Sequence, residues 1–305
     1  MTSPPLDCVI VGAGPAGLTA AIYLARFHLS VTLVDAGHSR ALSIPRTRNH
    51  AGYPKGISGA DLVSRMRQHA EQFGATLTHA AVLRVQAEQD LFLVHCPSFV
   101  LSARTVLLAT GVVNNRPPMA PEQHDAAVAA GLLRYCPVCD GYEVTDQQVG
   151  VIGTGAHGVD EASFLRMYSR AITLISPEGG HALSPEQRLK LEQLGIRAVD
   201  GPCGELRTDG PRIVAPTSAG DLAFDTIYPA LGSVIRSELA TDLGAAATAD
   251  GSIEVDAHQR TTVRGLYAAG DVTKGLDQIS HAMGEAGVAA TTIRNDLAQD
   301  RPLVR

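Results

Sequence analysis

The chain has 305 residues, 45% of them hydrophobic, enough for two domains that each bury a core. Its formal net charge of −6, from 25 basic and 31 acidic residues with no basic cluster, argues against nucleic acid or an anionic membrane surface as a partner. With no apolar run of membrane-spanning length, and a start (Met1-Thr2-Ser3-Pro4-Pro5) lacking both a basic region and an apolar signal core, the expected address is the cytoplasm.

Asp7 to Val11 predicts a short strand buried on both faces, and Leu18 to Phe27 an apolar helix. Between them stands Gly12-Ala13-Gly14-Pro15-Ala16-Gly17, a G-x-G-x-x-G in the strand-to-helix context that gives it meaning. Gly12 suits a tight turn, Gly14 a close approach to a pyrophosphate, and Gly17 close helix packing. Pro15 fits the first helical turn, where its missing N–H is no loss. A second strand, Val31 to Val34, ends at Asp35, 23 residues past Gly12, where a carboxylate accepts a ribose hydroxyl. Arg46 to Gly59 is a Gly-, Pro- and Asn-containing loop, read equally well as functional or as a surface connection. Ala60 to Phe73 predicts an amphipathic helix with Leu62, Val63, Met66 and Phe73 inward. Strands are expected around Leu77 to Val85 and Leu91 to Cys96. A further strand ends in Ala109-Thr110-Gly111, small residues beside which a ligand can lie. Asn114-Asn115-Arg116-Pro117-Pro118 breaks the pattern and predicts a crossing between domains.

Next comes Cys136-Pro137-Val138-Cys139-Asp140-Gly141. Two thiols at this spacing can close a small disulfide ring and so store two electrons. Half a zinc site looks the same, yet Cys8, Cys96 and Cys203 are scattered singly and no paired histidines accompany them, so no metal is expected. A second strand-glycine-helix unit follows, with strand Val149 to Ile152, turn Gly153-Thr154-Gly155-Ala156-His157-Gly158, helix Val159 to Tyr168 and strand Ala171 to Ile175. Here position 23 past the first glycine is Ser176, followed by Pro177-Glu178-Gly179-Gly180, with neither a carboxylate for a ribose nor an arginine for a 2′-phosphate. Glu178 can serve a ribose after a small backbone shift, and a fold that no longer binds nucleotide is nearly as good a reading. Pro185 to Leu194 predicts a helix and Gly201 to Tyr228 irregular β; near Ser233 to Glu238 the chain is expected to return to the first domain. Gly265 to Asp271 is a small-residue strand ending in an acid, and Gln278 to Ala298 the final helix.

In their order and approximate spacing these motifs resemble the low-molecular-weight thioredoxin reductase family of flavoproteins over nearly the whole chain. The resemblance implies an α/β fold of two Rossmann-like three-layer ββα nucleotide-binding domains, the second inserted into the first. Residues 1–114 and 237–305 would bind FAD, and 115–236 would form an NAD(P)-binding-like domain carrying the C-x-x-C. It implies FAD contacts at Gly12, Gly14, Pro15, Ala16, Gly17, Asp35, Ala36, Asn49, Val82, Ala109, Thr110, Gly111, Gly270, Asp271, Gln278 and Ile279. A second nucleotide would meet Gly153, Gly155, Ala156, His157, Gly158 and Glu178. By the same resemblance Cys139 faces the flavin, Cys136 attacks the partner disulfide, Asp140 relays a proton, and the protein is a homodimer. The partner is a thioredoxin-like protein or a small-molecule dithiol or disulfide. Members that use NADPH carry a His-Arg-Arg type run where this chain has Ser176-Pro177-Glu178, which leaves the donor open between NADPH, NADH and none. Pro137 and Gly141-Tyr142-Glu143 look like the branch that includes dithiol oxidases of the gliotoxin and holomycin type and reductases that have lost NADPH, whereas Asp140 keeps the reductase choice. The expected function is therefore an FAD-dependent thiol-disulfide oxidoreductase. An oxygen-dependent dithiol oxidase and a non-enzymatic flavin redox sensor stand as alternatives.

Overall fold

The computed structural model describes residues 4–300 and 302–304; Met1, Thr2 and Ser3 of the N-terminal stretch read above, with Arg301 and Arg305, lie outside the described residues. The chain divides into two units. One is Met1–Leu42, Ser58–Val113 and Ile235–Arg305; the other, Ser43–Ile57 with Asn114–Val234, is for the most part inserted into it.

The first unit is built on a seven-stranded sheet in the order Thr76–His79, Val31–Asp35, Leu6–Val11, Val100–Leu108, Leu91–His95, Arg84–Glu88, with Leu266–Ala268 also paired to Val100–Leu108. The strands nearest the glycine turn run parallel, with Cys8 opposite both Val31 and Thr105. Parallel strands need cover on both faces, which is why Leu6–Val11 reads as a continuous apolar run and why Cys8, Val9 and Ile10 are wholly buried. Helices Pro15–Arg26 and Ile279–Asp300 pack on each other. Helix Gly59–Gln72 starts where Ser58 accepts the Asp61 N–H at 3.0 Å, and it buries Leu62, Val63 and Met66, with Phe73 half-buried at its end. The single strand expected around Leu77 to Val85 is two. Thr76–His79 joins the parallel ladder and Arg84–Glu88 an antiparallel hairpin, so the chain must leave the ladder between them.

In the second unit a parallel sheet of Arg197–Val199, Ala171–Ile175, Gln148–Ile152 and Thr226–Pro229 packs with helix Gly155–Leu165. Helix Pro185–Gln193 begins in a reciprocal cap between Ser184 and Gln187. The stretch read as irregular β is an ordered antiparallel meander, Arg207–Asp209, Arg212–Thr217 and Gly220–Phe224. Helix Pro121–Ala129 has no counterpart in the sequence reading, because it buries only His124 and Ala127 and so lacks an apolar stripe. The segments Val112–Asn114 and Ser233–Ile235, where the chain leaves and re-enters the first unit, pair as a two-stranded ladder. The fold class is α/β with two nucleotide-binding-type units, as the motifs imply.

Candidate active site

In the first unit the glycine turn is dictated by backbone crowding. Gly12 has φ 103°, and a Cβ there would lie 2.3 Å from the Ala109 carbonyl oxygen; one on Gly17 would lie 1.9 Å from the Gly12 oxygen. Any side chain would push the helix off the sheet. Gly14 is the N-cap of Pro15–Arg26 and offers no side chain, so the first helical N–H groups have no side-chain partner. A Cβ on Gly14 would face only Ser39 Oγ, at 3.2 Å. This uncapped, positively polarised helix end, walled by glycines, fits the pyrophosphate of FAD.

Asp35 ends its strand beside that turn, its Oδ1 accepting the Ala13 N–H and its Oδ2 the Gly37 N–H, both at 3.0 Å. The two bonds fix the carboxylate, and each oxygen retains capacity for a ribose hydroxyl. Ala36 follows it, half-buried. Ala109 backs Gly12, the Thr110 hydroxyl donates to the Arg236 carbonyl at 2.6 Å, and the Gly111 carbonyl accepts the Arg236 N–H. Gly270 is pressed onto Ala16, where its Cβ would come within 2.9 Å of the Ala16 Cβ, and its N–H donates to Glu285 Oε2 at 2.7 Å. Burial and the Asp277 charge push the Asp271 carboxyl up, against the opposing pull of Arg40. Thus Gly12 to Gly17, Asp35, Ala36, Ala109 to Gly111, Gly270 and Asp271 converge at the carboxyl ends of the parallel strands. Gln278 and Ile279 lead into the last helix, and Val82 packs on the edge of the core. The segment of Asn49 groups with the second unit, where its Nδ2 donates to the Val138 carbonyl at 3.4 Å.

The second unit holds Cys136 and Cys139 as a disulfide, S–S 2.04 Å. Cys136 is the N-cap of the short helix Pro137–Asp140, and its Sγ accepts the Cys139 N–H at 3.1 Å. Asp140 is held from two sides. Its Oδ1 accepts the Tyr228 hydroxyl at 2.7 Å and its Oδ2 the Arg134 guanidinium at 2.8 Å. Burial, then the Asp140 charge, pushes the Tyr228 phenol far up, so this fully buried hydroxyl is a committed donor. Neither Arg134 nor Tyr228 was singled out from sequence. Arg134 had a signal, a lone cation two residues before Cys136; Tyr228 had none, being one apolar residue of a buried strand. The other cysteines are buried thiols, with burial pushing Cys8 up to about 12 and Cys203 to about 11, which suppresses thiolate chemistry.

The second glycine turn differs from the first. Helix Gly155–Leu165 begins after Thr154, whose Oγ1 accepts the Ala182 N–H at 2.9 Å and lies 3.4 Å from His181 Nδ1. The Ala182 carbonyl oxygen is 3.8 Å from where a Cβ on Gly155 would sit. His181–Ala182 therefore lies against the turn that a pyrophosphate would approach. The loop is pinned from behind: Asp200 Oδ1 accepts the His181 N–H at 2.9 Å, and the Gly179 carbonyl accepts the Gly201 N–H at 2.6 Å. Ser176 is buried at the end of its strand, Glu178 is exposed, and the Arg166 guanidinium is spent on the Leu194 and Ser169 carbonyls. Gly153, Gly155, Ala156, His157 and Gly158 form this turn and the start of its helix, and Glu178 stands in the loop before His181.

On the same helix Glu161 is half-buried, with Oε2 3.8 Å from His157 Nε2 and Oε1 lacking a protein partner, and burial pushes its carboxyl up to about 7. Its proton is thus favoured by folding, so the carboxyl costs nothing below pH 4.5 and burdens the fold as pH rises through 7. Glu161→Gln should leave the unfolding midpoint unchanged at pH 4 and stabilise the protein at pH 8 by on the order of 2–3 kcal/mol. A difference independent of pH would contradict this account.

The family model described as pyridine nucleotide-disulphide oxidoreductase matches residues 6–286. A thioredoxin reductase of Listeria monocytogenes is 28% identical over 295 residues, covering 93% of this chain and 91% of its own. The crystal structure of thioredoxin reductase from Streptococcus pyogenes matches with a TM-score of 0.89 at 26% identity, over 98% of this chain and 100% of that one. The crystal structure of HlmI also matches at 0.89, with 29% identity over 98% of this chain and 95% of its own.

Proposed function

The chain belongs to the pyridine nucleotide-disulphide oxidoreductase family, and from that premise we propose a thiol-disulfide exchange that runs through Cys136 and Cys139 with little or no use of NADPH. It is a thioredoxin reductase-like, FAD-dependent disulfide oxidoreductase. The observation that carries the reading is the disulfide itself, seated at the start of a short helix with the Asp140 carboxylate held by Arg134 and Tyr228.

Gly12 to Gly17, Asp35 and Asp271 would hold FAD, which would supply two-electron chemistry, passing electrons from an external reductant other than NADPH to the Cys136–Cys139 disulfide. The Cys136 thiolate attacks a sulfur of the substrate disulfide, breaking that bond and forming a mixed disulfide. Cys139 then displaces the substrate sulfur and closes the Cys136–Cys139 bond. Each departing substrate sulfur takes a proton, and Asp140, fixed by Arg134 and Tyr228, relays it. The partner is a thioredoxin-like protein or a small-molecule disulfide. A homodimer, as the resemblance to the reductase family implies, completes the reading, and three buried cysteines that remain thiols suit a reducing compartment such as the cytoplasm.

A second reading, a dithiol oxidase that passes electrons to oxygen, is favoured by His181–Ala182 lying against the second glycine turn. Electrons would then enter from a substrate dithiol. One experiment tests both. Under anaerobic titration with NADPH and then NADH, flavin absorbance should stay unbleached at stoichiometric nucleotide. Fast stoichiometric bleaching by either would overturn the reading of the second turn. Admitting a dithiol and air should then release peroxide if the oxidase reading holds. Repeated turnover of any disulfide removes the redox-sensor alternative.

A further inference from the structure

Arg40 stands just past the strand that ends in Asp35, between two carboxylates. Its Nη1 donates to Asp271 Oδ2 at 3.1 Å and to Asp277 Oδ2 at 2.8 Å. Its neighbour Ser39 faces Gly14, and Gly270, the neighbour of Asp271, is pressed onto Ala16. Two segments far apart in sequence therefore bring a guanidinium and two carboxylates to the N-terminal turn of helix Pro15–Arg26.

The edge is otherwise acidic. Asp35 accepts the Ala13 and Gly37 N–H groups, and Glu285 accepts the Gly270 N–H and lies 3.0 Å from His281 Nε2. Asp271 and Asp277 remain, and without a counter-charge they would repel a diphosphate arriving at the uncapped helix end. We infer that Arg40 is the residue that makes this acidic edge accept a diphosphate, by offsetting one of the two charges of Asp271 and Asp277 where the pyrophosphate of FAD arrives. The inference rests on the assignment of FAD to the first glycine turn. It assigns Arg40 a role in discriminating a dinucleotide flavin from riboflavin, which carries no phosphate.

The test is equilibrium binding of FAD and of riboflavin to the full flavin-free chain, followed by flavin fluorescence. Arg40→Gln should weaken FAD by about 30-fold at low salt and riboflavin by less than about 3-fold. The FAD deficit should shrink toward molar salt. Arg40→Lys should stay within about 5-fold of wild type, and adding Asp277→Asn to Arg40→Gln should recover most of the lost affinity, because the repulsion is removed with the acid. Unchanged unfolding of Arg40→Gln is the control for folding. FAD affinity within about 2-fold of wild type in Arg40→Gln, or equal loss of FAD and riboflavin, overturns the inference. A wild-type chain that takes up no FAD instead removes the cofactor assignment and the inference with it.

Discussion

Replacing Cys136 or Cys139 by serine should abolish turnover, by about 1,000-fold or more, while FAD remains bound in full stoichiometry. A serine hydroxyl is neither ionised at neutral pH nor able to form the sulfur–sulfur bond in which the two electrons are stored. The effect is large because no other thiol can substitute: Cys8, Cys96 and Cys203 are buried. Flavin is untouched because the glycine turn, Asp35 and Asp271 belong to the other unit. The two variants should also differ from each other. Single-turnover attack on a substrate disulfide should survive in Cys139→Ser, which keeps the attacking Cys136 and stalls at the mixed disulfide, whereas Cys136→Ser should form none. Multiple turnovers in either variant would take the dithiol out of the mechanism.

Gly17→Ala should cost about 3 kcal/mol or more of stability and empty the flavin site. The added Cβ would lie 1.9 Å from the Gly12 carbonyl oxygen, a backbone atom that cannot step aside. Relief requires moving helix Pro15–Arg26, which packs on Ile279–Asp300, so the strain spreads through the first unit. Gly14→Ala is the matched comparison. Its Cβ meets only the Ser39 hydroxyl at 3.2 Å, so the fold should survive while the approach of a phosphate is hindered. Urea midpoints of the two variants, read beside FAD affinity, separate the roles; equal stability of Gly17→Ala and wild type would show that the helix can shift without cost.

Features confined to a few consecutive residues were legible before any coordinates. The Gly12 to Gly17 turn, the acid at Asp35, the repeated turn at Gly153 to Gly158 and the Cys136/Cys139 pair each encode their geometry in local spacing. The crowding at Gly17 is also local, against the Gly12 carbonyl, whereas that at Gly12 comes from Ala109 at the end of a distant strand. The long helices were legible from apolar periodicity, whereas Pro121–Ala129, with two buried residues, was not.

What the chain order concealed is the partnering of charges. Tyr228 reaches Asp140 across 88 residues from within its strand, and Arg40 reaches Asp271 across 231 because parallel strands deliver their ends to one edge. The lie of His181–Ala182 against the second turn was equally hidden: Ser176-Pro177-Glu178 shows what is missing from a nucleotide site, not what lies there instead. Sequence by itself determined the two nucleotide-type units and the dithiol, because glycine sterics and sulfur spacing act over a turn or two of chain. Only the tertiary structure decided which side chain neutralises which, because electrostatic partners are selected by distance in space, and folding alone sets that distance.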